Sequence, residues 1–139
     1  VKYKASQKGI SIITDLAETY YAHADLDMVK LILRNLLNNA IKYTSKGFIR
    51  IELGTRDQFI EVRIVDTGVG IARKNIEKIM SDNQFFSTHG TANEKGTGLG
   101  LKLCKSFIEQ NKGEFQLSSK LHKGSTFTFT LPASGMADP

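Results

Sequence analysis

The chain has 139 residues, 40% of them hydrophobic and 9% aromatic, with 19 Lys and Arg against 14 Asp and Glu. This is enough apolar material for one globular domain whose core needs no disulfide or metal, and it excludes a disordered chain, a collagen-like repeat and a disulfide scaffold. The net charge of +5 admits an anionic partner without naming one, since nucleic acid, an anionic membrane and a nucleotide polyphosphate satisfy it alike.

The chain starts at Val1 rather than Met, and its first residues, VKYKASQKG, hold no apolar signal core. Ile10, Ile12 and Ile13 predict a short strand over Gly9 to Thr14, and Asp25-Leu-Asp-Met reads as a helix start with acidic residues in its first turn. From Asp27 to Thr44, Val29, Ile32, Leu33, Leu36, Leu37 and Ala40 share one side at 100° per residue, a core-facing stripe that Gly47 ends. Ile49, Ile51 and Leu53, then Ile60, Val62 and Ile64, alternate with polar neighbours, and Gly54-Thr-Arg-Asp between them reads as a hairpin turn.

After Asp66-Thr-Gly-Val-Gly a short helix is predicted over Arg73 to Met80. Ser81 to Lys95 is polar, with only Phe85 and Phe86 as apolar anchors, and reads as a long lid or binding loop. Gly96-Thr-Gly-Leu-Gly-Leu opens a further helix, with Leu99, Leu103, Phe107 and Ile108 among its apolar positions and Gly113 as its stop. Cys104, the single cysteine, lies in this apolar context, which predicts a buried thiol and a reduced, cytoplasmic compartment. Two alternating strands finish the fold, around Phe115 and Leu117 and over Thr126 to Leu131, linked by Lys120 to Gly124. The domain is expected over residues 1–132 and a flexible tail over 133–139, the whole being a piece of something longer. No apolar run approaches the ~18 residues that span a bilayer. Hairpin-linked strands with a few helices imply an α+β, two-layer sandwich: a mixed, mostly antiparallel sheet covered by helices on one face.

Three constellations carry chemistry. Asn35, Asn39 and Lys42 lie within roughly a 60° arc of their helix, where two carboxamides and an ammonium offer a neutral oxygen ligand for Mg²⁺ and a cation for phosphate. A solvated polar face is the plain alternative. Asp66 stands at a strand end, followed by Gly68 and Gly70, which either make a simple tight turn or let a ligand approach the backbone while the carboxylate accepts from an exocyclic amine. Gly96, Gly98 and Gly100 lie ahead of a helix N-terminus, a place for phosphate. A P-loop is excluded because GxxxxGK[ST] is missing. A Rossmann fingerprint is excluded because Gly100 comes one residue too early and no strand precedes the cluster.

Asn35-Leu-Leu-Asn-Asn-Ala-Ile-Lys-Tyr-Thr, Asp66-Thr-Gly-Val-Gly-Ile, Phe86-Ser-Thr, Gly96-Thr-Gly-Leu-Gly-Leu and Gly124-Ser-Thr-Phe-Thr-Phe-Thr-Leu-Pro occur in this order. Together they resemble the N, G1, F and G2 boxes of the catalytic ATP-binding domain of sensor histidine kinases, over roughly Val1 to Pro132. The resemblance implies the Bergerat ATP-binding sandwich shared with gyrase, Hsp90 and MutL-type ATPases. It implies Asn39 on Mg²⁺, Lys42 on phosphate, Asn35 supporting the same polar face, and Tyr43 near the adenine or ribose. Asp66 would take the adenine amino group, with Gly68, Gly70 and Ile71 lining the base pocket and Thr126 helping Asp66 through water. Lys95, Gly96, Thr97, Gly98, Leu99, Gly100 and Leu101 would surround the phosphates at the end of an ATP lid, where Lys95 and His89 are the candidates for the γ-phosphate.

Related hydrolases place a glutamate where this chain has Asn35, and an amide is no general base at neutral pH, so transfer to a protein side chain fits better than water attack. Met80 stands where the first Phe of the F box is common, which leaves lid docking to Phe85 and Phe86. His23, His89 and His122 lack the helical, acid-flanked context of the family's phosphoacceptor. The implied partners are therefore a separate helical dimerisation and phosphoacceptor domain and a response-regulator receiver. Nucleic acid and direct membrane contact are not expected. The rival readings are a Bergerat-fold serine kinase of the anti-sigma type and a basic nucleic-acid-binding module. Against the latter, Lys and Arg are scattered without interleaved aromatics.

Overall fold

A computed structural model describes residues 10–15, 22–80 and 99–133. Five strands, β1 (Ile10–Asp15), β2 (Gly47–Arg56), β3 (Phe59–Asp66), β4 (Phe115–Lys120) and β5 (Gly124–Pro132), form one sheet in the order β1-β2-β3-β5-β4. β1 runs parallel to β2 and the other pairings are antiparallel. The expected mixed, mostly antiparallel sandwich is therefore present. Helices α1 (Leu26–Lys42), α2 (Arg73–Met80) and α3 (Leu99–Gln110) pack on one face of that sheet.

The period of two explains which strand residues meet the helices. Ile49 on β2, Val62 and Ile64 on β3, Phe127 and Phe129 on β5 and Phe115 on β4 all point inward and join one core. From the helices, Ile32, Leu36 and Ala40 of α1 and Cys104 and Ile108 of α3 fill it. Each fully buried Ile, Leu or Phe contributes about 1.5–3 kcal/mol of transfer free energy.

Asp25 caps α1, accepting a hydrogen bond from Met28 N at 3.0 Å, and Asp27 follows in the first turn where the helix dipole favours it. The chain entering α1 is tied down at both sides: Asp25 N donates to Asn111 Oδ1 at 2.8 Å and His23 N to Pro132 O at 2.8 Å.

Three local expectations are corrected. The β2–β3 hairpin turns at Asp57-Gln58 rather than from Gly54, because Asp57 adopts the left-handed conformation (φ 56°) and Gly54 still pairs with Glu61. Leu103 is exposed, and the inward stripe of α3 is Leu101, Cys104 and Ile108. Lys112, not Gly113, takes the left-handed position after α3 (φ 64°), while Gly113 N closes the end on Ile108 O at 2.9 Å. The loop expected over 81–95 and the tail after residue 133 lie outside the described residues. The outer face of the sheet carries a ladder of ion pairs running Arg50, Glu52, Arg63, Glu61 and Arg56. It keeps that face polar and, being solvated, adds little stability.

Candidate nucleotide site

Strand register builds the centre of the site. Ile12, Ile49, Asp66, Ser125 and Ser119 form one transverse row across all five strands, on the helix-facing side. The neighbouring rows on that side are apolar, with Ile51, Ile64, Phe127 and Leu117 in one and Leu53, Val62, Phe129 and Phe115 in the next. The core thus ends, at the C-terminal end of β3, in a short polar band.

Asp66 is 4% exposed. Its Oδ1 accepts from Gly68 N at 2.9 Å, and Ser125 N donates to the same carboxyl. Burial raises its pKa from 3.8 to about 6, against the opposing pull of those two N–H donors. A nearly dry carboxylate holding two backbone donors still has acceptor capacity and can take another N–H. Beside it, Ser119 Oγ accepts from Ile71 N at 2.7 Å and lies 2.9 Å from Gly124 O and 2.8 Å from Ser125 Oγ. Ser119 has one hydroxyl proton, which goes to the carbonyl, so Ser125 is the donor of the serine pair.

The turn after Asp66 is tied to three segments. Thr67 binds β2 through Phe48 N, which donates to Thr67 Oγ1 at 3.1 Å. Val69 N donates to Tyr43 O, at the end of α1, at 3.0 Å, and His122 N donates to Val69 O at 2.6 Å. Two glycines are sterically required here. A Cβ on Gly68 would lie 2.2 Å from Tyr43 O, and one on Gly70 would lie 2.1 Å from Lys120 O with φ already at +74°. Ile71 then turns inward and is buried in the core, directly after the clamped turn.

On α1 and at its C-cap, Asn35, Asn39, Lys42 and Tyr43 are half-buried. The ammonium of Lys42 lies 4.9 Å from the Tyr43 ring centroid, a cation–π distance. Gly100, in the first turn of α3, approaches Asn35, whose Cγ stands 3.9 Å from the point a Cβ would occupy. Asn35 also hydrogen-bonds the Cys104 thiol, which burial raises to a pKa of about 11. The beginning of α3 and the polar face of α1 are therefore neighbours, as a phosphate-binding helix end and its cation would need to be. Leu101 is buried in the core below.

Thr126 is out of place for the role expected of it. Its register partner is Val65, and it sits on the outer face of the sheet. The residue opposite Asp66 is Ser125. Inward phase marks Ser125 in the sequence, since it precedes the inward Phe127 and Phe129 by two and four residues. Thr44 and Ser119 also escaped sequence reasoning. Lys95, Gly96, Thr97 and Gly98 lie outside the described residues, as do His89 and the side chain of Leu99. Among the described residues no three His, Cys, Asp or Glu side chains gather as a metal site.

Residues 24–135 match the family model described as histidine kinase-, DNA gyrase B-, and HSP90-like ATPase. The chain is 41% identical over 112 residues to the adaptive-response sensory kinase SasA of Synechococcus sp. (strain JA-2-3B'a(2-13)), covering 79% of this chain and 29% of that protein. It is 32% identical over 117 residues to the sensor histidine kinase WalK of Bacillus subtilis (strain 168), covering 81% of this chain and 19% of that protein. Among solved structures, the nucleotide-free catalytic domain of histidine kinase ThkA superposes with a TM-score of 0.77 at 29% identity, covering 94% of this chain and 84% of that one. Full-length ShkA in complex with AMPPNP gives a TM-score of 0.79 at 27% identity, covering 99% and 28%. The chain spans less than a third of the length of SasA and of WalK.

Proposed function

The chain belongs to the histidine kinase-, DNA gyrase B-, and HSP90-like ATPase family as a catalytic ATP-binding domain of the sensor-histidine-kinase kind, and we propose that it binds Mg·ATP and delivers the γ-phosphate to a histidine on a separate helical domain of its parent protein. The observation that carries the reading is Asp66: a buried carboxylate at the end of β3, held by Gly68 N and Ser125 N, with an acceptor left for the adenine amino group. Gly68, Gly70 and Ile71 bring the backbone close enough for the flat base to lie against the turn. Tyr43 packs near the base or ribose, and Lys42 meets phosphate.

Asn39 suits magnesium because its amide oxygen is neutral. Mg²⁺ prefers few protein oxygens where phosphates and water complete the shell, and the absence of an acidic cluster among the described residues fits such a shared ion. When bound, the ion neutralises charge on the transferring phosphoryl group. Asn35 is engaged with Cys104 and, as an amide, takes no proton from water. The attacking group and its base then come from the partner domain, with the receiver of a response regulator downstream, and this chain contributes position and charge.

Calorimetric titration with ATP, with and without Mg²⁺, tests the reading. ATP binds the wild-type chain, Asp66→Asn weakens it in either condition, and Asn39→Ala removes the magnesium-dependent part. Undiminished binding by both variants would sink the site. With an acceptor hairpin supplied, an acid-labile phosphoprotein marks phosphohistidine, whereas an acid-stable one marks a hydroxyl acceptor and the serine-kinase alternative.

A further inference from the structure

Thr44 is fully buried, and its Oγ1 is the buried side-chain oxygen without a hydrogen-bond partner among the described residues. Its place is specific. The point where a Cβ on Gly68 would sit lies 2.8 Å from Thr44 Oγ1 and 2.9 Å from Asp66 Oδ1, so the hydroxyl and the carboxylate both border the space beside that bare α-carbon. A glycine is what lets them approach. An unmade hydrogen bond on a buried hydroxyl is destabilising and persists where a partner arrives later.

Resting on the ATP-binding reading above, we propose that Thr44 is a positioning residue of the base site: its hydroxyl turns onto the Asp66 carboxylate when nucleotide binds and holds it as a charged acceptor for the adenine amino group. The chemistry favours this direction. With Gly68 N, Ser125 N and a base amino group all donating, the carboxyl accepts best when it is ionised and acceptor-only. A fourth donor stabilises that state. Among the described residues, no side-chain charge shifts the Asp66 carboxyl. Ile49 from β2 and Ser125 from β5 face it and do not ionise. The titratable groups on adjoining segments are Lys42 and Tyr43 at the end of α1 and Lys120, His122 and Lys123 at the β4–β5 turn, and none of them shifts the Asp66 carboxyl.

The test compares Thr44→Val, which keeps the shape and removes the hydroxyl, with Thr44→Ser, which keeps the hydroxyl. ATP affinity is measured by calorimetry from pH 5 to 8 on the wild-type chain and both variants, alongside Asp66→Asn. The expected result is a loss of about five- to tenfold in Thr44→Val at pH 7.5, and a shallower fall in affinity towards pH 5, because the hydroxyl acts only on the ionised carboxyl of the complex. Thr44→Ser restores both. Wild-type affinity and an unmoved profile in Thr44→Val would overturn the inference, as would a Thr44→Ser variant no better than Thr44→Val, since packing rather than the hydroxyl would then matter. Thr44→Ala replaces Thr44→Val in the comparison if the latter does not fold. ATP binding lost in Asp66→Asn but untouched in Thr44→Val defeats this inference alone. A wild-type chain that binds no ATP defeats the functional reading with it.

Discussion

Asp66→Asn is expected to stabilise the empty domain while impairing nucleotide binding. The wild-type carboxyl has its pKa raised by burial from 3.8 to about 6, so the stability of the neutral acid is complete below pH 3.8 and is lost as pH rises through about 6. At pH 7.5 the folded state holds a charge that burial penalises. The difference of about two on the pH scale, at about 1.36 kcal/mol each, makes that penalty about 3 kcal/mol, falling to about 1 kcal/mol at pH 4.5. Asparagine removes the charge and keeps an oxygen for Gly68 N and Ser125 N, while its amide hydrogens, lacking equally good partners, return about 1 kcal/mol. The variant should therefore be more stable than wild type by about 2 kcal/mol at pH 7.5 and nearly equal at pH 4.5. Urea denaturation at the two pH values measures this directly. In saturating ATP the order reverses, because only the wild-type native state gains fully from ligand. Equal destabilisation of the variant at both pH values would refute the argument that Asp66 is held at the expense of stability.

Other perturbations separate scaffold from site. Gly70→Ala places a Cβ 2.1 Å from Lys120 O at φ +74°; it should lower stability by about 2–4 kcal/mol, read as a fall in melting temperature, and ATP does not rescue it fully. Asn111→Ala removes the acceptor of Asp25 N and the bond to Phe107 O. Denaturation should show a loss of about 1–2 kcal/mol with ATP affinity unchanged in the folded fraction. Cys104 is buried and its thiol raised to about 11, so its reaction with a thiol reagent at pH 8 should follow unfolding rather than surface access.

The architecture was legible because its signals are local. A stripe from Val29 to Ala40, alternation through Ile49 to Ile64 and glycines at 68 and 70 each state what a few neighbouring residues do. Capping, too, is local, so Asp25 and Asp27 marked the start of α1 to within a residue. The β2–β3 turn falls later than Gly54, the usual turn residue, suggests, because the ladder continues to Arg56 and Asp57 takes the left-handed conformation instead.

The polar band of the site is a product of register, which no single segment states. Ser119 and Ser125 become neighbours of Asp66 only when β4, β5 and β3 align with Ser119 opposite Ser125 and Ser125 opposite Asp66. A slip of one residue would exchange Ser125 for Thr126 and turn the side chain to the other face. Inside β5, however, the phase is fixed by Phe127 and Phe129, which are too large and apolar to face outward without cost. A hydroxyl in phase with them points to the helices, and one out of phase points to solvent. Thr44 follows a different logic. It lies beyond the last turn of α1, where periodicity ends, and only the contact of Gly68 with Tyr43 and Thr44 shows why a short polar side chain sits at a wholly buried position. Asp66 at the end of its strand, the serine pair beside it and Thr44 across Gly68 thus belong to one local compromise. The core stops early in this row so that polar atoms are held dry and preorganised beside a ligand, and the folded domain is less stable for it until the ligand arrives.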